Sequence, residues 1–129
     1  MKRHLAIALF LLAGLAGTMA QSEGGAKGQS LRFEVANYDF GVMEQGSAKR
    51  SHEFVFVNDG QGPIVITRTA NSCRCISVET PKKPIQPGDK GVVKVTFDPK
   101  DKGVFNKAIE VYANIPSRRV TLLVGGEVK

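Results

Sequence analysis

From Leu31 onward, large apolar residues recur at every second position in short runs. Leu31, Phe33 and Val35 alternate with Arg32 and Glu34, and Tyr38–Val42 forms a second short piece. His52–Val57 presents Phe54 and Phe56 to one face and Val55 and Val57 to the other, the pattern of a central strand covered on both sides. Ile64 and Ile66 alternate with Val65 and Thr67, in a strand expected to pair with the preceding one. Val93, Val95 and Phe97 alternate next. Phe105, Ile109 and Val111 share a face with Lys107 between them, and Val120, Leu122 and Val124 close the series. A period of two is the signature of half-buried strands, and nothing here has the period of a helix. The breaks are turn chemistry: Asn58-Asp59-Gly60-Gln61-Gly62-Pro63, Asp98-Pro99 and the Lys100–Gly103 stretch. Ile76–Thr80 leads into a long connection in which Pro81, Pro84 and Pro87 exclude a central strand. About seven strands at this spacing predict an all-β, immunoglobulin-like two-sheet sandwich. The Trp and the two distant cysteines of a true immunoglobulin domain are missing.

The first 30 residues do not share this pattern. Lys2, Arg3 and His4 precede the apolar run Leu5–Leu15, and Thr18-Met19-Ala20 supplies small residues before a cleavage point, so residues 1–20 are expected to be a signal peptide. The run is short of the ~20 apolar residues that span a bilayer, so no transmembrane segment is expected. Leu12–Thr18 approaches a lipoprotein box, but Thr18 stands where the lipidated cysteine belongs, and a lipid anchor is not expected. Residues 21–30 are rich in Gly and Ser, with no apolar side chain larger than Ala, and are expected to form a flexible leader. Residues 31–129 are left for one domain, long enough to bury a core without cross-links. The expected location is periplasmic or secreted.

Charge narrows the partners little. The formal net charge is +6, from 18 Lys and Arg against 12 Asp and Glu, and losing Lys2 and Arg3 with the signal lowers it to +4. The bases fall in pairs at turns or strand ends: Lys49-Arg50, Lys82-Lys83, Lys100 with Lys102, and Arg118-Arg119. Without a basic face interleaved with stacking aromatics, a nucleic acid is not an expected partner.

A run of motifs then resembles a known family. Phe40-Gly41 with Gly46, Phe54-x-Phe56-x-Asn58-x-Gly60, Pro63-Ile64-x-Ile66, Cys73-x-Cys75, Pro84-Ile85-x-Pro87-Gly88, Val93-x-Val95-x-Phe97, Gly103-x-Phe105-x-Lys107-x-Ile109-x-Val111 and Asn114 resemble the secreted bacterial domain of unknown function number 1573. That family is similar to Hydin-type (ASH) and major-sperm-protein-like sandwiches. The resemblance runs from about Phe33 to Val128 and implies a sandwich fold and an envelope location, with no activity attached. One residue departs from the pattern: the family has Gly between its cysteines, and this chain has Arg74.

Cys73 and Cys75 are the only cysteines. On a regular strand, residues i and i+2 lie ~6.5 to 7 Å apart, whereas a disulfide needs a Cβ separation of about 3.8 Å, so a bond between them requires a local bend. Gly takes that bend at almost any φ, whereas Arg74 must stay mostly at negative φ or bear about 1 kcal/mol or more of strain, so a bond here is expected to be strained and more easily reduced than a structural one. Three readings are open. The pair is a local disulfide or two half-buried thiols pinning a strand end, a thiol–disulfide exchange pair modulated by the charge of Arg74, or a two-thiolate site for Cu(I) or Zn(II). A three-residue loop contributes only about 1.6 kcal/mol by chain entropy, a weak reason to keep the bond for stability. For a metal the only further soft candidates are His52 and Met43, at no recognised spacing, and neither a metal nor a cofactor is expected.

No catalytic residue is expected. Ser51-His52 lacks an orienting acid and a nucleophile elbow, so His52 reads as a surface strand residue, and Asp39, Glu44 and Asp98 read as turn residues. The leading expectation is a non-enzymatic, exported binding or assembly module that holds an envelope protein or a glycan at a sheet edge or loop face. The alternative is a redox protein using Cys73 and Cys75.

Overall fold

The computed structural model describes residues 29–129. The expected signal peptide lies outside the described residues, as does the leader apart from Gln29 and Ser30. Eight strands form in chain order: β1 (Leu31–Phe33), β2 (Asn37–Met43), β3 (Arg50–Asn58), β4 (Ile66–Asn71), β5 (Ile76–Glu79), β6 (Lys90–Phe97), β7 (Gly103–Ala113) and β8 (Arg119–Val128). They make two four-stranded sheets, one in the order β1-β3-β6-β5 and the other β2-β8-β7-β4. All neighbours are antiparallel except β2 and β8, which run parallel.

Two-residue alternation builds the core as the pattern requires. Phe54, Phe56, Val93, Val95 and Phe97 from one sheet face Ile109, Val111, Leu122, Val124 and Val128 from the other, all 3% exposed or less. At roughly 1.5–3 kcal/mol for each fully buried large aliphatic or aromatic side chain, this interleaving is the main stabilising term. Gly91 lies opposite Phe56 in the β3–β6 register, and a Cβ there would run into the Phe56 ring, so only glycine lets these strands keep both their pairing and their packing.

Three strand expectations are corrected. The expected sandwich of about seven strands has eight, because Ile76–Thr80, read only as leading into the proline connection, holds a short edge strand: Ile76 and Val78 pack inward and Ile76–Glu79 pairs with β6 as β5. Four residues ending in a proline-rich connection give too little alternation to reveal it. The Ile64–Thr67 segment does not pair with β3. β4 begins at Ile66 and pairs with β7 in the opposite sheet, while Ile64 makes an isolated bridge to Ile85. The cause lies in Asn58, which is fully buried. Its Nδ2 donates to the carbonyls of Gly62 and Ile85 (both 2.8 Å), and its Oδ1 accepts from the Gly60 N–H (3.0 Å). These bonds tie the chain after β3 to the proline connection instead of closing a hairpin. β3 is central in its sheet, but Val55 and Val57 on its outer side are only half-buried, because nothing among the described residues covers that face.

Candidate functional site

Cys73-Arg74-Cys75 makes the turn between β4 and β5, so it is a corner where the chain passes from one sheet to the other. The Cα atoms of Cys73 and Cys75 are 5.1 Å apart, closer than strand spacing allows, and the two sulfurs are paired as a disulfide. The required bend is therefore present. Backbone and side-chain bonds shape it independently of the sulfurs: Asn71 Oδ1 accepts from the Cys73 N–H (2.9 Å), and the Cys73 carbonyl accepts from the Ile76 N–H (3.2 Å). The Cys75 carbonyl accepts from the Asp98 N–H (2.8 Å), docking the corner on the end of β6.

Arg74 is exposed, and it makes the turn without entering the left-handed region, where Arg118 (φ 72°) is the only non-glycine among the described residues. The strain expected of an arginine at this position is absent, because the turn does not need positive φ there.

The disulfide borders a cavity of about 180 Å³. Its walls include Phe97 and Phe105, stacked with ring centroids 4.0 Å apart, together with Lys102 and Lys107. The Cys75 N–H donates to Cys73 Sγ (3.2 Å), so the two sulfurs are not electrically equivalent.

The other expected residues fall elsewhere. Met43 is 1% exposed in the core, and neither it nor His52 lines the cysteine cavity. Among the described residues no group of three or more His, Cys, Asp or Glu side chains gathers. The surface reading of His52 is corrected: it is half-buried and faces inward with Phe54, stacked on Tyr38 at 3.7 Å and edge-on to Phe54 at 4.7 Å. Burial lowers its pKa below the ordinary 6.5, with Glu53 opposing weakly. Ser51 bonds the Thr96 hydroxyl (2.8 Å) instead of His52. Asp39 lies within β2 rather than in a turn, and its Oδ1 accepts from the Gly41 N–H (2.7 Å). Glu44 is in a turn as expected, and Asp98 follows β6. The paired bases are all exposed.

A second feature escapes any reading of motifs. β2 carries a bulge: Asp39 pairs with Gly125 and Val42 with Glu127, leaving an extra residue at Phe40–Gly41, with Gly41 at φ 80°. Bulges re-aim side chains, and here Gly41, Gly125 and Gly126 leave a floor at backbone level. The result is a shallow concavity of about 630 Å³ over β2, β8 and β7. Val42, Val104 and Leu123, three of the six exposed large apolar side chains among the described residues, line it, and Tyr38 borders it while its ring stacks on His52. Its charged lining is Asp39 and Glu127, with no Lys or Arg. Farther along the same sheet the surface is polar and self-paired: Arg68 lies 3.7 Å over the Tyr112 ring, Tyr112 donates to Glu110 (3.1 Å), and Arg119 pairs with Glu110 (3.5 Å).

No helix among the described residues is long and apolar enough to cross a membrane. Comparison with curated proteins returns no match. Among solved structures, a protein of unknown function from Porphyromonas gingivalis W83 superposes with a TM-score of 0.68 at 16% identity, over 82% of this chain and 50% of that one. This chain thus spans about half the length of that relative. The ASH / PapD-like domain 7 of human CEP192 superposes with a TM-score of 0.67 at 10% identity, over 95% of this chain and 98% of the domain. The Vibrio cholerae VesB protease matches with a TM-score of 0.62 at 16% identity, over 80% of this chain and 32% of its own. At these identities the likenesses establish the immunoglobulin-like sandwich and nothing about chemistry. The sequence itself matches a family model over residues 31–128, the span from the first strand to the end of the last, and the chain belongs to that family, Protein of unknown function (DUF1573).

Proposed function

We propose that the chain is a binding module of a bacterial envelope. In this reading it is exported by residues 1–20 and docks an extended protein segment on the β2–β8–β7 concavity. The observation that carries the reading is the gathering of Val42, Val104 and Leu123 around one glycine-floored hollow, when exposed apolar side chains ordinarily scatter. Its location at a sheet edge adds to this, because β2 is an outer strand, and an outer strand can take up an added strand.

Charge selects the occupant. The chain carries a formal +6, yet the hollow holds two carboxylates and no base, so a segment alternating apolar and cationic residues is complementary to it. A neutral glycan carries no cation to pair with the two carboxylates.

The test is chemical-shift mapping on isotope-labelled protein with three probes: a peptide alternating Lys and Val, one alternating Glu and Val, and a chito-oligosaccharide. Shifts at Val42, Val104, Leu123 and Gly125 with the Lys/Val peptide alone, lost in Leu123→Asp and weakened in Asp39→Lys, are the expected result. Equal response to both peptides, or response to the oligosaccharide, would overturn it.

A further inference from the structure

We infer that the Cys73–Cys75 disulfide is a thiol–disulfide exchange site that oxidises dithiols, with Cys75 as the sulfur attacked and Cys73 as the sulfur released. This site lies at the β4–β5 corner and is independent of the docking reading.

Three observations converge. First, Cys73 and Cys75 both line a cavity of about 180 Å³ that Phe97 and Phe105 also wall, so an incoming thiol has room beside the pair and an apolar surface to rest on. Second, hydrogen bonds that do not involve the sulfurs also hold the corner: Asn71, Ile76 and Asp98 bond the backbone on both sides of Arg74. Opening the disulfide leaves the two thiols in place, and closing it again requires no search. Third, the environment is polarised. The Cys75 N–H points at Cys73 Sγ, and a hydrogen-bond donor aimed at a sulfur stabilises the thiolate over the thiol. The sulfur whose thiolate is stabilised is the better leaving group, so attack at Cys75 is favoured. Lys102 and Lys107 in the cavity and exposed Arg74 in the turn add positive charge that favours thiolates, against Asp98 and Asp101 in the same lining.

The exchange proceeds in two displacements. A substrate thiolate attacks Cys75 Sγ, forming a substrate–Cys75 disulfide. The Cys73–Cys75 bond breaks, and its electron pair leaves on Cys73 as the thiolate. The second substrate thiolate then attacks the substrate sulfur of that mixed disulfide, closing the substrate's own disulfide and releasing Cys75 as a thiolate. The substrate has lost two electrons, the cysteine pair has gained them, and the two protons shed by the substrate thiols return from solvent to Cys73 and Cys75. The reductant in this half-reaction is the substrate dithiol itself.

Wild-type protein is exposed under native conditions to reduced glutathione and, separately, to a reduced Cys-x-x-Cys peptide, then quenched with an alkylating agent and mapped by mass spectrometry. The expected products are a mixed adduct on Cys75 with the alkyl group on Cys73, full reduction by the dithiol peptide, and severalfold slower trapping in Lys102→Ala/Lys107→Ala. An adduct on Cys73, an even distribution, or a bond that opens only once the protein is unfolded would overturn the assignment.

Discussion

His52 shows what a single half-buried position adds to stability. Its ring stacks on Tyr38 and meets Phe54 edge-on, where a cation is poorly solvated, so its pKa in the native state is lowered from 6.5. The unfolded chain takes up the proton first as the pH falls, and proton uptake by the unfolded state lowers stability. The contribution of neutral His52 is therefore whole above about pH 6.5 and is lost on descending through the interval between that value and the native one. Denaturant midpoints measured from pH 7.5 to pH 5 should fall across this interval, and His52→Phe, which keeps a stacked ring, should flatten the curve. An unchanged slope in the variant would assign the effect elsewhere. Asp59 does not confuse the measurement: its carboxyl is held below the ordinary 3.8, first by the Ser30 hydroxyl and then by Arg32, so its contribution is lost only at lower pH. At this scale the sequence is unevenly legible. The inward face of His52 could be read from its i, i+2 relation to Phe54, and the cysteine pair announces itself. Asn58 does not, since an Asn before Asp-Gly looks like any turn residue, and only the fold shows its side chain bonding to three separate backbone groups.

The β4–β5 corner is the element in which structure and chemistry compete. Its disulfide closes a loop of three residues, so its chain-entropy contribution is about 1.6 kcal/mol, small beside the roughly 5–15 kcal/mol of a typical domain. The corner's own hydrogen bonds and the β5–β6 pairing remain when the sulfurs are separated. Cys73→Ser/Cys75→Ser should therefore keep its β-sheet circular dichroism and lose about 1–2 kcal/mol in urea unfolding, with an unchanged m-value. A loss of more than about 4 kcal/mol would make the bond a structural necessity. The bend was legible only as a condition of the bond, because spacing forbids the bond on a straight strand and does not say that the bond forms. That the bend is a crossing between sheets was not, because β5 is four residues long and β4 finds its partner in a strand more than thirty residues later.

Across the whole molecule the strand character was legible and the assignment of strands to sheets was not, and the same fact bears on folding. The chain changes sheet between β1 and β2, β2 and β3, β3 and β4, β4 and β5, and β6 and β7, so that only β5–β6 and β7–β8 are neighbours in both sequence and space. Alternation declares that a strand has an inner face; it does not say which sheet that face belongs to, and β2, parallel to the last strand, has no local signal at all. Neither sheet can form alone, since each depends on segments separated by strands of the other. Unfolding should be a single cooperative transition, with near- and far-ultraviolet signals coincident, and refolding should take milliseconds to seconds, as for other sandwiches dominated by distant pairing. Within that barrier the β7–β8 hairpin is the long pairing with the smallest closure entropy, so it should form early. Leu122→Ala, at a fully buried position in β8, should cost about 2–5 kcal/mol and appear mainly as slower folding. Phe40→Leu in β2, whose pairing must wait for the final strand, should appear mainly as faster unfolding. If the two variants partition alike, the order of assembly is not set by the hairpin, and the parallel β2–β8 pairing belongs to the nucleus as well.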